Sequence, residues 1–206
     1  MKSAHCAYVF AAALSLAIPS LPAAVVPPTQ PAEAGPAGEV SPELLALREQ
    51  AIALHDRAVE GDEGAAETAV SHLERYLERA STDWEARAYL GSVYAMMARD
   101  ASSVMNKTRY ANRGLRHLDR ALEGAPRMFS VRLIRARVNS SLPKMFGRGG
   151  AALDDMLALD RIYRDRPTPV MAREMVGIYE ELQRHAPDAG PWAARLGEAR
   201  KHSGDR

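Results

Sequence analysis

Residues 114–126 read GLRHLDRALEGAP. Gly114, Leu118 and Ala121 recur at helical spacing, so they share one face of a helix. Gly124-Ala125-Pro126 then ends it, because glycine closes helices well and proline cannot continue one. A new helical pattern starts at Met128 and runs to Ser141, where Pro143 stops it. Small residues on a helix face let a second helix approach closely. Another such face lies upstream in Arg87, Leu90, Gly91 and Tyr94 over 84–98. Helices joined by short turns suggest antiparallel pairs.

The rest of the chain follows the same rhythm. Ser41-Pro42-Glu43 caps a first helix that carries Leu44, Leu47, Ala51, Leu54 and Ala58. Gly61 to Gly64 breaks it, and a second helix is expected from Ala65 to Ala80. Trp84 to Ala98 is the third. Residues 99–108, RDASSVMNKT, read as a polar, irregular insertion, and the fourth helix is expected from Tyr110 to Glu123. The fifth is Met128–Ser141, the sixth follows Phe146-Gly147-Arg148-Gly149-Gly150, the seventh spans Pro169–Arg184, and Pro191-Trp192 opens an eighth. No segment alternates with period two between turn signals, so no strand is expected. Ala, Leu, Arg and Glu are abundant and aromatics are 6% of the chain, which favours helix.

The pattern of Arg87, Leu90, Gly91 and Tyr94, followed by Gly114, Leu118, Ala121 and Pro126, resembles the tetratricopeptide repeat (TPR), with Arg87 where that family favours Trp. Ala69, Leu73 and Tyr76 upstream fit a second helix, with Ser81 where Pro is usual. Ala136, then Ala152, Met156 and Leu159, fit a third unit. The chain as a whole is similar to small, divergent TPR-like bacterial proteins that are exported. The resemblance implies an all-α fold over 42–202, about eight helices in antiparallel pairs stacked as a right-handed superhelix. The usual period is about 34 residues, and the surplus between Gly91 and Gly114 is assigned to 99–109. In the family, first helices line a concave groove. By register, this implies partner contacts from Arg48, Ile52 and His55, then Glu85, Ser92 and Met96, then Leu133, Arg137 and Ser140. A peptide with an extended backbone and an acidic residue would suit Arg48 and Arg137. The polar clamp that holds chaperone tails is absent, with Ile52, Tyr89 and Ser130 at its positions.

The N-terminus reads differently. Lys2 and His5 precede an uncharged run from Cys6 to Ile18, then Pro19, Pro22 and Ala23-Ala24. This is the pattern of a signal peptide over 1–24, too short for a span of about 20 apolar residues. The expected location is periplasmic or secreted, with a retained N-terminal membrane anchor as the alternative. Residues 25–41, rich in Pro and Ala, have the composition of a disordered linker, and 203–206 are expected to be a tail. Cys6 is the only cysteine, so a chain cut near Ala24 has no disulfide or reactive thiol.

The charge balance narrows the function. The chain has 27 Lys and Arg against 26 Asp and Glu, without the basic excess that nucleic-acid binding needs. No HExxH, P-loop or nucleophile elbow is present. No metal site, cofactor or catalytic group is assigned. The expectation is a non-catalytic scaffold or adaptor that binds a protein or peptide, in an envelope or membrane-associated complex. A second reading uses the arginines of 109–148, Arg113 and Arg148 foremost, to bind a small anionic ligand in an accessory domain or enzyme. A solvated face neutralised by Asp119, Glu123, Asp154 and Asp155 competes with it. A third reading is self-association through exposed apolar residues such as Trp192; the oligomeric state is open.

Overall fold

The structure, a computed structural model, describes residues 41–62 and 64–204. The expected signal peptide and nearly all of the linker lie outside the described residues. Those described form helices α1 (Pro42–Val59), α2 (Ala65–Arg79), α3 (Trp84–Asp100), α4 (Val104–Gly124), α5 (Phe129–Ser141), α6 (Gly149–Asp165), α7 (Pro169–His185) and α8 (Trp192–Ser203), with 3-10 turns at Lys144–Phe146 and Pro187–Ala189. No strand occurs among them.

The helix starts follow from side chains. The hydroxyls of Ser41, Ser103 and Thr168 and the carboxylate of Asp83 accept hydrogen bonds from backbone N–H groups of α1, α4, α7 and α3, each satisfying a donor that the helix itself leaves open. Pro42 and Pro169 occupy first-turn positions, where a missing N–H costs nothing.

Two features differ from the sequence expectation. Residues 99–109 are not an irregular insertion. α3 continues to Asp100, Ala101–Ser103 make the turn, and α4 begins at Val104, so the surplus length is a longer helical hairpin. At the C-terminal end, Ser203, expected in the tail, is the last residue of α8 and is buried; residues 205–206 lie outside the described residues.

Consecutive helices pair as α1–α2, α3–α4, α5–α6 and α7–α8, and the first helices also meet, α1 with α3 and α3 with α5. The α3–α4 contact shows why glycine stands at the centre. A Cβ on Gly114 would lie 2.6 Å from the Gly91 carbonyl oxygen; one on Gly91 would lie 2.7 Å from Leu118 Cγ. Both are closer than real Cβ contacts allow, so the backbones touch only because neither residue has a side chain. Gly124 is occluded in the same way by the Trp84 indole.

The apolar interior is three clusters in series. Ala51, Leu73, Tyr76, Leu90 and Tyr94 join α1, α2 and α3. Ala88, Leu118, Ala121, Val131 and Ile134 join α3, α4 and α5. Leu133, Met156, Leu159, Met175, Leu182 and Trp192 join α5 through α8. Each cluster needs residues from adjacent pairs, so no pair buries its apolar face alone, the stacking logic of a helical repeat. The fold is all-α and TPR-like.

Candidate functional site

The first helices carry most of the residues implied as partner contacts, and the structure ties several of them to each other. Arg48 on α1 donates from Nε to Asp83 at 2.8 Å and from Nη2 to Glu85 at 2.5 Å. His55 Nε2 sits 3.0 Å from Ser92 Oγ, and its ring meets Tyr89 edge-on. These links hold α1 against α3. Burial pushes the Asp83 carboxyl up, but the Ala86 N–H, Arg48 and the Tyr76 hydroxyl outweigh it and hold it below the usual carboxylate range. Ile52 and Met96 are partly exposed.

Tyr89 shows how these helices face one another. Its hydroxyl is pushed up first by burial, then by Glu85 and Asp56, with Glu174 also contributing and Arg48 opposing. Those charges stand on α1, α3 and α7, so one ring senses first helices from both ends of the described stack. Arg137 on α5 is ion-paired with Glu174 on α7, which closes the series.

Arg137 and Ser140 line an open cavity of about 350 Å³ with Ser141, Met156, Gly177, Ile178 and Glu181. Met156 and Ile178 make its apolar part. The hydroxyls of Ser140 and Ser141 donate to the carbonyls of Ala136 and Val138, so each offers the cavity a lone pair. Gly177 is inside α7, yet a Cβ there would meet nothing within 4 Å. Sequence reasoning reached α5 but missed α7, because glycine and scattered glutamates carry no periodic signal.

Leu133 does not face a partner: it is 7% exposed and packs with Ala136, Met156 and Leu159. Arg137 stands one turn further along the same face of α5, yet Leu133 is covered by its neighbours while the Arg137 side chain stays exposed. Trp192 is 3% exposed and donates its indole N–H to the Ala186 carbonyl, so it offers no surface for self-association. Asn106 and Asn139 both lie in helices, and Asn139 is buried.

The arginines of 109–148 divide into two groups. Arg132 and Arg135 hold Asp155 at 2.7 and 2.5 Å. Arg135 and Arg148 both reach Asp119, at 2.9 and 2.5 Å, and Arg148 also donates to Asn139. Asp155 is fully buried; burial pushes its carboxyl up while the two guanidinium groups work against that. Arg113 pairs with Glu74 at 2.5 Å and lies over the Tyr94 ring. Arg113 and Arg148, the residues named for a small anion, therefore already hold carboxylates. Arg109, Arg116 and Arg120 make no ion pair among the described residues.

No group of three or more His, Cys, Asp or Glu among the described residues is placed to hold a metal ion. None of the described helices is long and apolar enough to cross a membrane.

The helix order and the three-cluster core define a TPR-like helical repeat. No family model matches the chain, and no curated protein matches it. Among solved structures it is similar to a thermophilic TPR protein of Thermus thermophilus, at 19% identity over 76% of this chain and 93% of that chain, with a TM-score of 0.41.

Proposed function

We propose that this chain is an exported, non-catalytic scaffold that binds a protein or peptide along the face made by its first helices. The observation that carries the reading is the cavity between α5, α6 and α7 with Gly177 at its wall. A glycine inside a helix costs roughly 1 kcal/mol relative to alanine. At Gly91 and Gly114 that cost allows helices to touch; at Gly177 no neighbour needs the space. Room kept open beside an apolar floor suits the backbone of an incoming chain.

The rim revises the expected ligand. Arg48 and Arg137 are committed to carboxylates, and Glu181 to Arg184 and His185, while the Ser140 and Ser141 hydroxyl oxygens remain as acceptors. A segment that brings an aliphatic side chain to Met156 and Ile178, and N–H donors to the rim, fits better than an acidic one. Export rests on the sequence pattern of residues 1–24.

The test uses Gly177→Leu, which fills the cavity against Met156 and Ile178 from a position where an added Cβ meets nothing within 4 Å. Wild-type and variant chains, shown by circular dichroism to be equally folded, serve as bait for envelope extract. A partner held by the wild type and lost by Gly177→Leu supports the reading. A partner held equally by both contradicts it.

A further inference from the structure

α4 has two unlike faces. Ala111, Gly114, Leu118 and Ala121 are buried against neighbouring helices. On the outward side, Arg109, Arg113, Arg116 and Arg120 stand at i, i+4, i+7 and i+11, all exposed, a stripe of about 16 Å at 1.5 Å per residue. Met105 extends it one turn toward the start of α4, beside Val104; each is 79% exposed. The carboxylates near the stripe are few. Glu74 is bound to Arg113, Asp119 is taken by Arg135 and Arg148, and Glu123 lies at the far end. Like charges crowd instead. Burial and then the Arg120 charge push the Arg87 guanidinium down. Burial, then Arg87 and Arg113, lower the His117 imidazole to about 4, so at neutral pH the ring adds no charge.

Uncompensated cations on one face of a chain with a net charge of +1 call for an anionic counter-surface. A basic helix face ending in exposed apolar side chains matches a membrane interface. Arginines meet headgroup phosphates there while the apolar tip enters the acyl boundary. An acidic protein would satisfy the arginines but leave Val104 and Met105 in water. We propose that the outward face of α4 docks on an anionic phospholipid surface, with Arg109, Arg116 and Arg120 contacting phosphates and Val104 and Met105 inserting. This surface is separate from the face of the first helices, and either proposal can fail without the other.

The test is co-sedimentation of the full chain with vesicles of phosphatidylcholine alone or mixed with phosphatidylglycerol, at low and high salt. The phosphatidylcholine arm accounts for any binding by the apolar N-terminus. Binding should be stronger to the anionic vesicles and fall with salt. Each arginine removed should weaken it about fivefold, so Arg116→Ser/Arg120→Ser should lose about 25-fold. Val104→Ser/Met105→Ser should weaken binding at both salt concentrations. The control Arg161→Ser/Arg173→Ser removes the same charge elsewhere and should retain binding. Equal affinity for both vesicle types, an unchanged Arg116→Ser/Arg120→Ser variant, or an equal loss in the control would overturn the proposal. So would binding of soluble polyglutamate with none to vesicles, which would assign the face to an acidic protein.

Discussion

Single residues decide how closely α3 and α4 meet. Gly91 faces both the Leu118 side chain and the Gly114 carbonyl. Gly91→Leu should therefore separate the helices and destabilise the fold by about 1–3 kcal/mol or more, read as a lower denaturation midpoint; an unchanged midpoint would place this contact elsewhere. Leu118 is fully buried, and Leu118→Ala should cost about 2–5 kcal/mol. His117 carries a pH signature. Its folded pKa, about 4, lies below the usual 6.5. As pH falls through 6.5 the unfolded chain takes up the proton and the folded chain resists. Stability present above 6.5 is thus lost progressively toward pH 4. His117→Gln should flatten the melting temperature across that window, and a variant with the wild-type slope would assign the effect to other groups.

At the scale of elements, α5 and α6 are held by ions as well as apolar packing. Asp155→Asn leaves Arg132 and Arg135 without their shared carboxylate and should cost about 3–5 kcal/mol. Replacing all three charges, in Arg132→Met/Arg135→Met/Asp155→Leu, should recover much of the loss, since apolar substitutes avoid the desolvation of buried charges. Thermal melts of both variants check this, and an additive loss would show that the three charges are not coupled. The helices themselves were legible in the sequence where they pack on neighbours, because burial writes a stripe. The pairing of Gly91 with Gly114, Leu118 and Ala121 could be read from their resemblance to the tetratricopeptide pattern. Residues 99–109 could not. The outer ends of α3 and α4 leave Val104 and Met105 exposed, so no apolar periodicity marks them as helix. The candidate site was half legible for a related reason. Arg48, His55, Leu133, Arg137 and Ser140 follow helical register, but register does not show that neighbours cover Leu133, and Gly177 and Glu181 on α7 give no pattern. Sequence shows charges without their pairings: Asp119 reads there as a neutralising group, but not as the partner of Arg148, and nothing in it joins Glu74 to Arg113.

Across the whole described stack, adjacent helix pairs share their apolar clusters, α3 and α4 meet at the Gly91–Gly114 contact, and the first helices leave an open cavity at Gly177. Three glycines, all inside helices, separate this from a loose bundle. A Cβ on Gly177 or Gly197 meets nothing within 4 Å, whereas one on Gly114 meets the Gly91 carbonyl oxygen. Helix propensity alone would make each alanine substitution stabilising by up to about 1 kcal/mol. The most direct measurement is chemical denaturation of Gly114→Ala, Gly177→Ala and Gly197→Ala beside the wild type. Stacked pairs in glycine contact predict that the last two gain stability and that Gly114→Ala loses it. A gain at Gly114 equal to the other two would mean that α3 and α4 do not touch there, and the central helix pair of the account would fall with that contact.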